Sequence, residues 1–183
     1  MKKSIFIHIP KAAGSSIGNL IRKHNPDLSL CLHRKVSFYP KETRGSCFVF
    51  SFVRNPYDRL LSAHKYLTGD FGNDGDKEYG KNLSKDFSFF VKNQLESNLG
   101  WLHFKPMSSW LDLEIDFVGK FENIQQDFDI VCKKIGISPQ QLPHDNKTKH
   151  QHYSKYYNKD TCEIVGEIYK QDLELYNYSF VRG

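Results

Sequence analysis

Residues 6–16 constrain the fold more than any other stretch, because they lead from an apolar segment through a short loop into an amphipathic one. The stretch reads Phe-Ile-His-Ile-Pro-Lys-Ala-Ala-Gly-Ser-Ser. Residues 4–9 are rich in Ile and Phe, which predicts a buried strand, and the apolar residues from Ile17 to Lys23 have helical spacing. Backbone N–H groups and the helix dipole both favour negative charge where a helix begins. The stretch therefore predicts an anion-binding loop between a strand and a helix.

A second junction of a strand with a helix follows at residues 48–67. Phe48 to Val53 is nearly continuous β-forming sequence, typical of a central parallel strand. Asn55 is suited to the N-cap and Pro56 to the first position of the next helix. That helix is predicted to bury Tyr57, Leu60, Leu61, His64 and Leu67.

Strands and helices alternate along the rest of the chain. Strands are predicted at residues 28–32 and 115–121, and helices at 124–135, ending at Gly136, and around Phe87, Phe90 and Val91. The last helix is predicted to begin near Asp160, with Glu163 at the capping-box position. Residues 68–83 are rich in Gly, Asp and Asn and predict a mobile loop. The alternation predicts an α/β layer fold with a central, mainly parallel sheet flanked by helices.

Length, charge and cysteine usage narrow the class of protein. A chain of 183 residues is long enough for one domain, which is predicted to span residues 1–183. The formal charge of +5 suits nucleic acid or a small polyanion and is too modest to choose between them. No apolar run approaches the length of a membrane span, so a complete chain is expected to be cytoplasmic, while a removed anchor stays open. The spacing of the cysteines predicts buried free thiols at Cys31, Cys47, Cys132 and Cys162.

The loop carries the chemistry that a phosphate needs. Lys11 supplies a cation, Gly14 allows a close approach of the backbone, and Ser15 and Ser16 add hydroxyl groups. The pattern G-x-x-x-x-G-K-[ST] of nucleoside triphosphatases is absent, and so is a clear strand ending in a magnesium-binding Asp. No metal site is therefore predicted. The plainer alternative is an ordinary turn with a solvated Lys11.

Arg54 is a second candidate for holding an anion. It follows the predicted strand 48–53 directly, where a guanidinium can grip a phosphate with two hydrogen bonds. Ser62 lies about two helical turns further on and can add a hydroxyl group. The alternative is a structural pair of Arg54 with Asp58. Two anion loops at neighbouring strand ends suit a nucleotide that carries phosphates at both ends.

At these residues the chain resembles the sulfotransferases that use PAPS (3′-phosphoadenylyl sulfate). Residues 7–16 are similar to their 5′-phosphosulfate loop, and residues 52–63 to their 3′-phosphate motif. Segments 115–128 and 156–180 also resemble family segments, so the similarity covers most of the chain. The nearest branch comprises the carbohydrate enzymes similar to heparan sulfate 2-O-sulfotransferase and chondroitin sulfotransferase, in a small bacterial form.

The resemblance implies a three-layer P-loop-like α/β fold. It also implies transfer of a sulfuryl group from PAPS to a hydroxyl of a carbohydrate, which releases PAP. It implies a nucleotide site formed by Lys11, Ala12, Ala13, Gly14, Ser15, Ser16, Arg54 and Ser62. Lys11 would stabilise the charge on the leaving phosphate without a metal. A general base is needed to activate the hydroxyl, and His33 is the preferred candidate ahead of His103, His8 and Glu122.

The acceptor and two other functions stay open. Basic and aromatic residues cluster in two segments and predict acceptor contacts from His103, Lys105, Lys149 and Tyr153. The same clusters also fit a solvated surface with ordinary core aromatic residues. The alternatives to a transferase are a P-loop-type kinase or NTPase and a PAP- or PAPS-binding module without catalysis. Nucleic-acid binding rests on net charge alone, so no nucleic-acid partner is predicted.

Overall fold

The computed structural model describes residues 3–24, 28–69, 71–142 and 151–183 and consists of two compact units. The first unit comprises residues 1–54 and 107–147, and the second comprises residues 55–106 and 148–183. The prediction that residues 1–183 form one domain stays a prediction.

The strands of the described part of the chain are β1 (Ser4–His8), β2 (Leu28–Leu32), β3 (Phe48–Val53) and β4 (Phe117–Lys120). The α-helices of the same part are α1 (Gly14–His24), α2 (Lys41–Ser46), α3 (Pro56–Thr68), α4 (Asp74–Gly80), α5 (Phe87–Asn93), α6 (Leu95–Asn98), α7 (Ile124–Ile135), α8 (Lys159–Ile168) and α9 (Lys170–Leu175). Short 3₁₀ helices lie at Val36–Phe38, Met107–Ser109, Phe121–Asn123 and Tyr153–Tyr156.

A parallel sheet forms the centre of the first unit. Its four described strands have the order β2-β1-β3-β4, and every neighbouring pair is parallel. Ser4 of β1 is in register with Leu28 of β2 and Phe48 of β3. The predicted α/β, P-loop-like class with a parallel sheet is therefore confirmed.

Aromatic side chains on one face of this sheet form the core of the first unit. The rings of Phe6 and Phe50 stack with their centroids 4.9 Å apart. Ile17 and Ile21 of α1 and several residues of α7 pack against the same face, so both helices cover it. Helix α7 ends at Gly136, as predicted, because this residue adopts the left-handed conformation with φ 77°.

Helix α3 contributes buried residues to the core of the second unit. Asn55 caps it as predicted, because its side chain accepts a hydrogen bond from the Tyr57 N–H at 3.1 Å. All five predicted core residues of this helix are buried. Four of them pack in a cluster that also contains Phe90, Phe104 and Tyr169, namely Tyr57, Leu60, Leu61 and Leu67. The ring of the fifth, His64, lies beside the Phe90 ring, with the centroids 4.8 Å apart.

Three predictions from local patterns are corrected. Residues 68–83 contain the helix α4, which begins where Asn73 accepts a hydrogen bond from the Asp76 N–H at 2.9 Å. The strand predicted at 115–121 is shorter, because Phe121 already belongs to a 3₁₀ helix. The capping box of α8 joins Asn158 to Thr161 and does not involve Glu163.

Two further predictions, on the cysteines and on membrane-spanning segments, can be compared with the described residues. The thiols of Cys47 and Cys132 are free and buried, as predicted. Cys162 is also free but only half-buried, so the prediction of a buried thiol is wrong there, and the side chain of Cys31 lies outside the described part. None of the described helices is long and apolar enough to cross a bilayer. The cytoplasmic location stays a prediction.

The capping box of α8 gives a direct test of the fold. Replacing Asn158 with Ala removes the acceptor of the Thr161 N–H and should lower the free energy of unfolding by about 1 kcal/mol. Glu163→Ala is the matched control, because Glu163 is exposed on the same helix, and should change stability little. Urea unfolding of both variants measures the difference, and a larger loss in the Glu163 variant would contradict the observed cap.

Candidate functional site

The loop after β1 has an unusual backbone conformation. Lys11 and Ala13 have positive φ angles of 67° and 63°, whereas Ala12 between them does not. Such left-handed residues without Gly cost about 1–2 kcal/mol each, and they concentrate at ligand-binding sites. Left-handed residues that alternate with right-handed ones are the backbone pattern of anion-binding concavities. In this loop the Ala12 N–H donates to the Ile9 carbonyl at 3.4 Å. Helix α1 begins directly after this loop, at Gly14.

The loop residues differ in exposure from one position to the next. Ala12 and Gly14 are buried, Lys11, Ala13 and Ser16 are half-buried, and Ser15 is exposed. The Ile17 N–H donates to the Ala13 carbonyl at 3.2 Å, which ties the strained residue to the first turn of α1. The structure thus places all six predicted residues in the turn after β1 and the first turn of α1. Their nucleotide contacts stay a prediction.

Gly14 is required by the packing around it. A Cβ atom at this position would lie 1.8 Å from Cδ2 of His8 and 2.2 Å from its Nε2. Only a residue without a side chain allows the imidazole to lie so close to the first turn of α1. The sequence predicted Gly14 for the approach of a ligand, and the structure adds this second reason.

His8 is buried at the end of β1, as predicted for a strand residue. Its side chain approaches His33, and the two ring centroids are 4.8 Å apart. Burial, with added repulsion from His33 and Lys11, lowers the pKa of His8 to about 4. Its Nδ1 is buried and has no hydrogen-bond partner among the described residues.

His33 follows β2 and lies at the same edge of the sheet as the loop. His8 is in register with Leu32, so His33 comes one residue beyond that pair. It has a positive φ of 59°, and its ring centroid is 6.1 Å from that of Trp110. The Val36 N–H donates to the Trp110 carbonyl at 3.0 Å, which fixes the segment after His33 beside Trp110. His33 is half-buried, so its ring combines a packed position with access to solvent.

Arg54 connects the loop to other parts of the first unit. Its Nη1 donates to the Lys11 carbonyl at 3.1 Å, and its guanidinium lies 4.1 Å from the centre of the Phe121 ring. Its backbone N–H also contacts the Met107 sulfur at 3.5 Å. Arg54 is buried, so these contacts hold the cation beside the strained loop. Its phosphate contact stays a prediction.

The second unit contains several other predicted site residues. Ser62 is buried on α3, and its phosphate contact stays a prediction. His103 is buried with Nδ1 3.7 Å from Oδ1 of Asp76, whose Oδ2 accepts a hydrogen bond from Tyr66. The network places His103 in the interior of this unit.

Three of the four predicted acceptor residues lie in the described part of the chain. The Tyr153 hydroxyl accepts a hydrogen bond from the Val181 N–H at 2.9 Å, and its ring is buried. The Lys105 carbonyl accepts from Nη1 of Arg59 at 2.9 Å. Lys149 lies outside the described residues. The acceptor roles of these residues and of His103 stay predictions.

Sequence reasoning missed the residues that support the site from a distance. Phe121, Met107 and Trp110 contact Arg54 or His33 across 53 or more positions of the chain, and no local pattern indicates such contacts. Glu122, the acidic candidate for the base, is exposed in the 3₁₀ helix after β4. No group of His, Cys, Asp and Glu residues within the described ranges could hold a metal ion.

A parallel α/β sheet with an anion loop after its first strand is shared by several classes of nucleotide-binding protein. The sequence profile of the sulfotransferase family matches residues 2–179, and the chain belongs to this family. The resemblance seen in the two loop motifs is therefore confirmed.

Two curated relatives show how far the similarity extends. A carbohydrate sulfotransferase 14 from Danio rerio is 23% identical over 216 aligned positions, which cover 96% of this chain and 58% of that protein. The chain thus spans little more than half the length of this relative. An uncharacterized protein from Archaeoglobus fulgidus is 32% identical over 95 residues, which cover 51% of this chain and 71% of that protein.

The buried His8 gives folding stability a defined pH dependence. The unfolded chain protonates this ring near pH 6.5 and the folded protein only near pH 4, so the unfolded state binds more protons between these values. This contribution is fully present above the unfolded pKa and is lost as the pH falls, by about 2 kcal/mol between about pH 7 and about pH 5.

Urea unfolding of the wild type and of His8→Gln at these two pH values measures the effect. The variant lacks the titrating ring, whereas His64, whose pKa burial also lowers, is common to both proteins. The wild type should lose about 2 kcal/mol more than the variant on acidification. Equal losses would show that the His8 ring is not shielded from protonation.

Proposed function

We propose that the protein transfers a sulfuryl group from PAPS to a hydroxyl group of a carbohydrate and releases PAP. Membership of the sulfotransferase family supports the reaction, and the name of the Danio rerio relative supports a carbohydrate acceptor. One observation carries the proposal, namely that Lys11 on its strained loop and His33 after β2 occupy one edge of the sheet. A cation for the leaving group and a base for the acceptor are the two functions that this transfer needs.

The residues of the first loop fit the 5′-phosphosulfate group. The alternating positive φ angles of Lys11 and Ala13 are typical of backbone that binds anions, and the start of α1 adds the positive end of a helix dipole. PAPS, when bound, supplies the sulfuryl group. The Lys11 ammonium and the hydroxyls of Ser15 and Ser16 would stabilise the charge that grows on the phosphate oxygen when the sulfur–oxygen bond breaks.

His33 acts as the general base in this proposal. A neutral imidazole nitrogen accepts the proton of the acceptor hydroxyl while the hydroxyl oxygen forms its bond to sulfur. The rings of His8 and Trp110 pack near His33 and restrict its orientation. Because burial keeps His8 neutral, a protonated His33 would not face a second charged imidazole.

Arg54 serves the site in two ways. The proposal assigns its guanidinium to the 3′-phosphate, as the resemblance implies, and the hydrogen bond to the Lys11 carbonyl stabilises the loop for the 5′ side. A residue that contacts both would couple the positions of the two phosphates, which favours in-line attack. Ser62 is assigned to the 3′-phosphate by the resemblance alone.

A thermal-shift experiment with PAP tests the donor site. PAP should raise the melting temperature without magnesium, because the proposed cradle consists of N–H groups and cations of the chain. ATP should have little effect. The shift should largely vanish in Lys11→Ala and persist in Lys23→Ala, the control, whose side chain is exposed in the last turn of α1. A magnesium-dependent shift with ATP and none with PAP would favour a kinase or NTPase instead.

Turnover of labelled PAPS against a panel of glycans tests catalysis. Lys11→Ala should lower kcat by about 100- to 1,000-fold, by analogy with the loss of one oxyanion-hole donor. His33→Ala should lower kcat by about 100-fold or more and remove the acidic limb of the pH profile, while PAP affinity is retained. PAP binding without transfer to any glycan would indicate a non-catalytic binding module, and full activity of Lys11→Ala would refute the assignment.

A further inference from the structure

The His8 imidazole has a buried nitrogen that the functions assigned so far do not use. Within the described residues, Nδ1 has no hydrogen-bond partner, and the residue is only 7% exposed. A buried polar group without a partner costs about 1–3 kcal/mol, and such groups are rare enough in folded proteins to need an explanation. His8 is part of β1, at its junction with the anion loop, which places this cost next to the proposed site.

The lack of a hydrogen-bond partner at Nδ1 indicates which tautomer the His8 ring adopts. The ring is neutral near pH 7, so one nitrogen carries a proton and the other is an acceptor. An N–H group left unpaired in the interior is rarer than an acceptor left unpaired. The acceptor is therefore the isolated Nδ1, and the proton lies on Nε2.

The Nε2 edge of the ring faces the first turn of α1. A Cβ atom on Gly14 would lie 2.2 Å from Nε2, so this edge is directed at the residue where the helix begins. The N–H groups at a helix start carry positive partial charge, and an added donor there is favourable only when an anion is bound. Helix α1 has 11 residues, which is long enough for a substantial dipole.

We propose that neutral His8 is a ligand-binding member of the anion loop and donates its Nε2–H to the sulfated or phosphorylated group held by residues 11–16. This inference rests on the proposed function for the identity of the anion, but the donor itself requires only an oxyanion at the loop. A neutral donor leaves the cationic charge of the loop to Lys11 and avoids repulsion with His33, 4.8 Å away.

Two substitutions of His8 distinguish the effect of the N–H donor from the effect of side-chain volume. His8→Gln keeps an N–H group near the position of Nε2, whereas His8→Met fills a similar volume without a donor. Isothermal titration should show PAP affinity reduced by about 10-fold or more in His8→Met and by less than about threefold in His8→Gln. The exposed His24 at the end of α1 provides the control His24→Met, which should bind PAP like the wild type. Melting curves without PAP confirm that each variant is folded.

Nitrogen-15 NMR of the imidazole gives a readout that does not depend on turnover. The ligand-free wild type should show a proton on Nε2 of His8, and PAP should shift the Nε2 resonance more than the Nδ1 resonance. A proton on Nδ1, or equal PAP affinity of folded His8→Met and the wild type, would overturn the proposal.

Inorganic sulfate as a second probe distinguishes the two proposals. Sulfate binding that His8→Met weakens, with no binding of PAP to the wild type, would support the His8 donor and refute the nucleotide function. PAP binding that is equal in both proteins would leave the nucleotide function and refute the donor. Failure of the wild type to bind either probe would refute both.

Discussion

The parallel pairing of β1 with β2 on one side and β3 on the other is the constraint on which the site depends. Because the three strands run in the same direction, their carboxyl ends meet at one edge of the sheet. The segments that follow them contain the predicted anion loop, His33 and Arg54. A shift of one strand by a single residue would turn its side chains to the other face and separate these groups. The Ser51 hydroxyl donates to the Ile7 carbonyl at 2.7 Å and helps to fix this register.

The anion loop is held in a costly conformation by contacts from outside it. Lys11 and Ala13 are left-handed although neither is glycine, so the loop conformation needs support from its surroundings. Arg54 provides part of this support through the Lys11 carbonyl, and Phe121 in turn packs under the guanidinium. The His8 ring packs closely against Gly14, the first residue of α1, and provides a second support for the loop. An anion bound in the loop would repay the remaining strain through hydrogen bonds to its N–H groups.

The elements that could be predicted are those with strong local signals. The nearly continuous β-forming run Phe48–Val53 and the pair Asn55-Pro56 predicted the bounds of β3 and the start of α3 correctly. The errors arose where several local signals competed. Residues 68–83 contain the breakers of a loop, yet Asn73 caps a short helix within them. Glu163 has the right spacing for a cap at Asp160, but the helix begins one residue earlier and Asn158 pairs with Thr161 instead.

The sequence by itself determined the class of the fold and the chemical identity of the loop, because strand and helix periodicity, caps and the presence of Lys11 and Gly14 are local properties. Only the tertiary structure decided how these groups act on one another. The left-handed backbone of Lys11, the neutral state of His8, and the contacts of Arg54 with Phe121 and of His33 with Trp110 all depend on parts of the chain far apart in sequence. Burial and packing create these properties, and neither exists until the sheet has assembled.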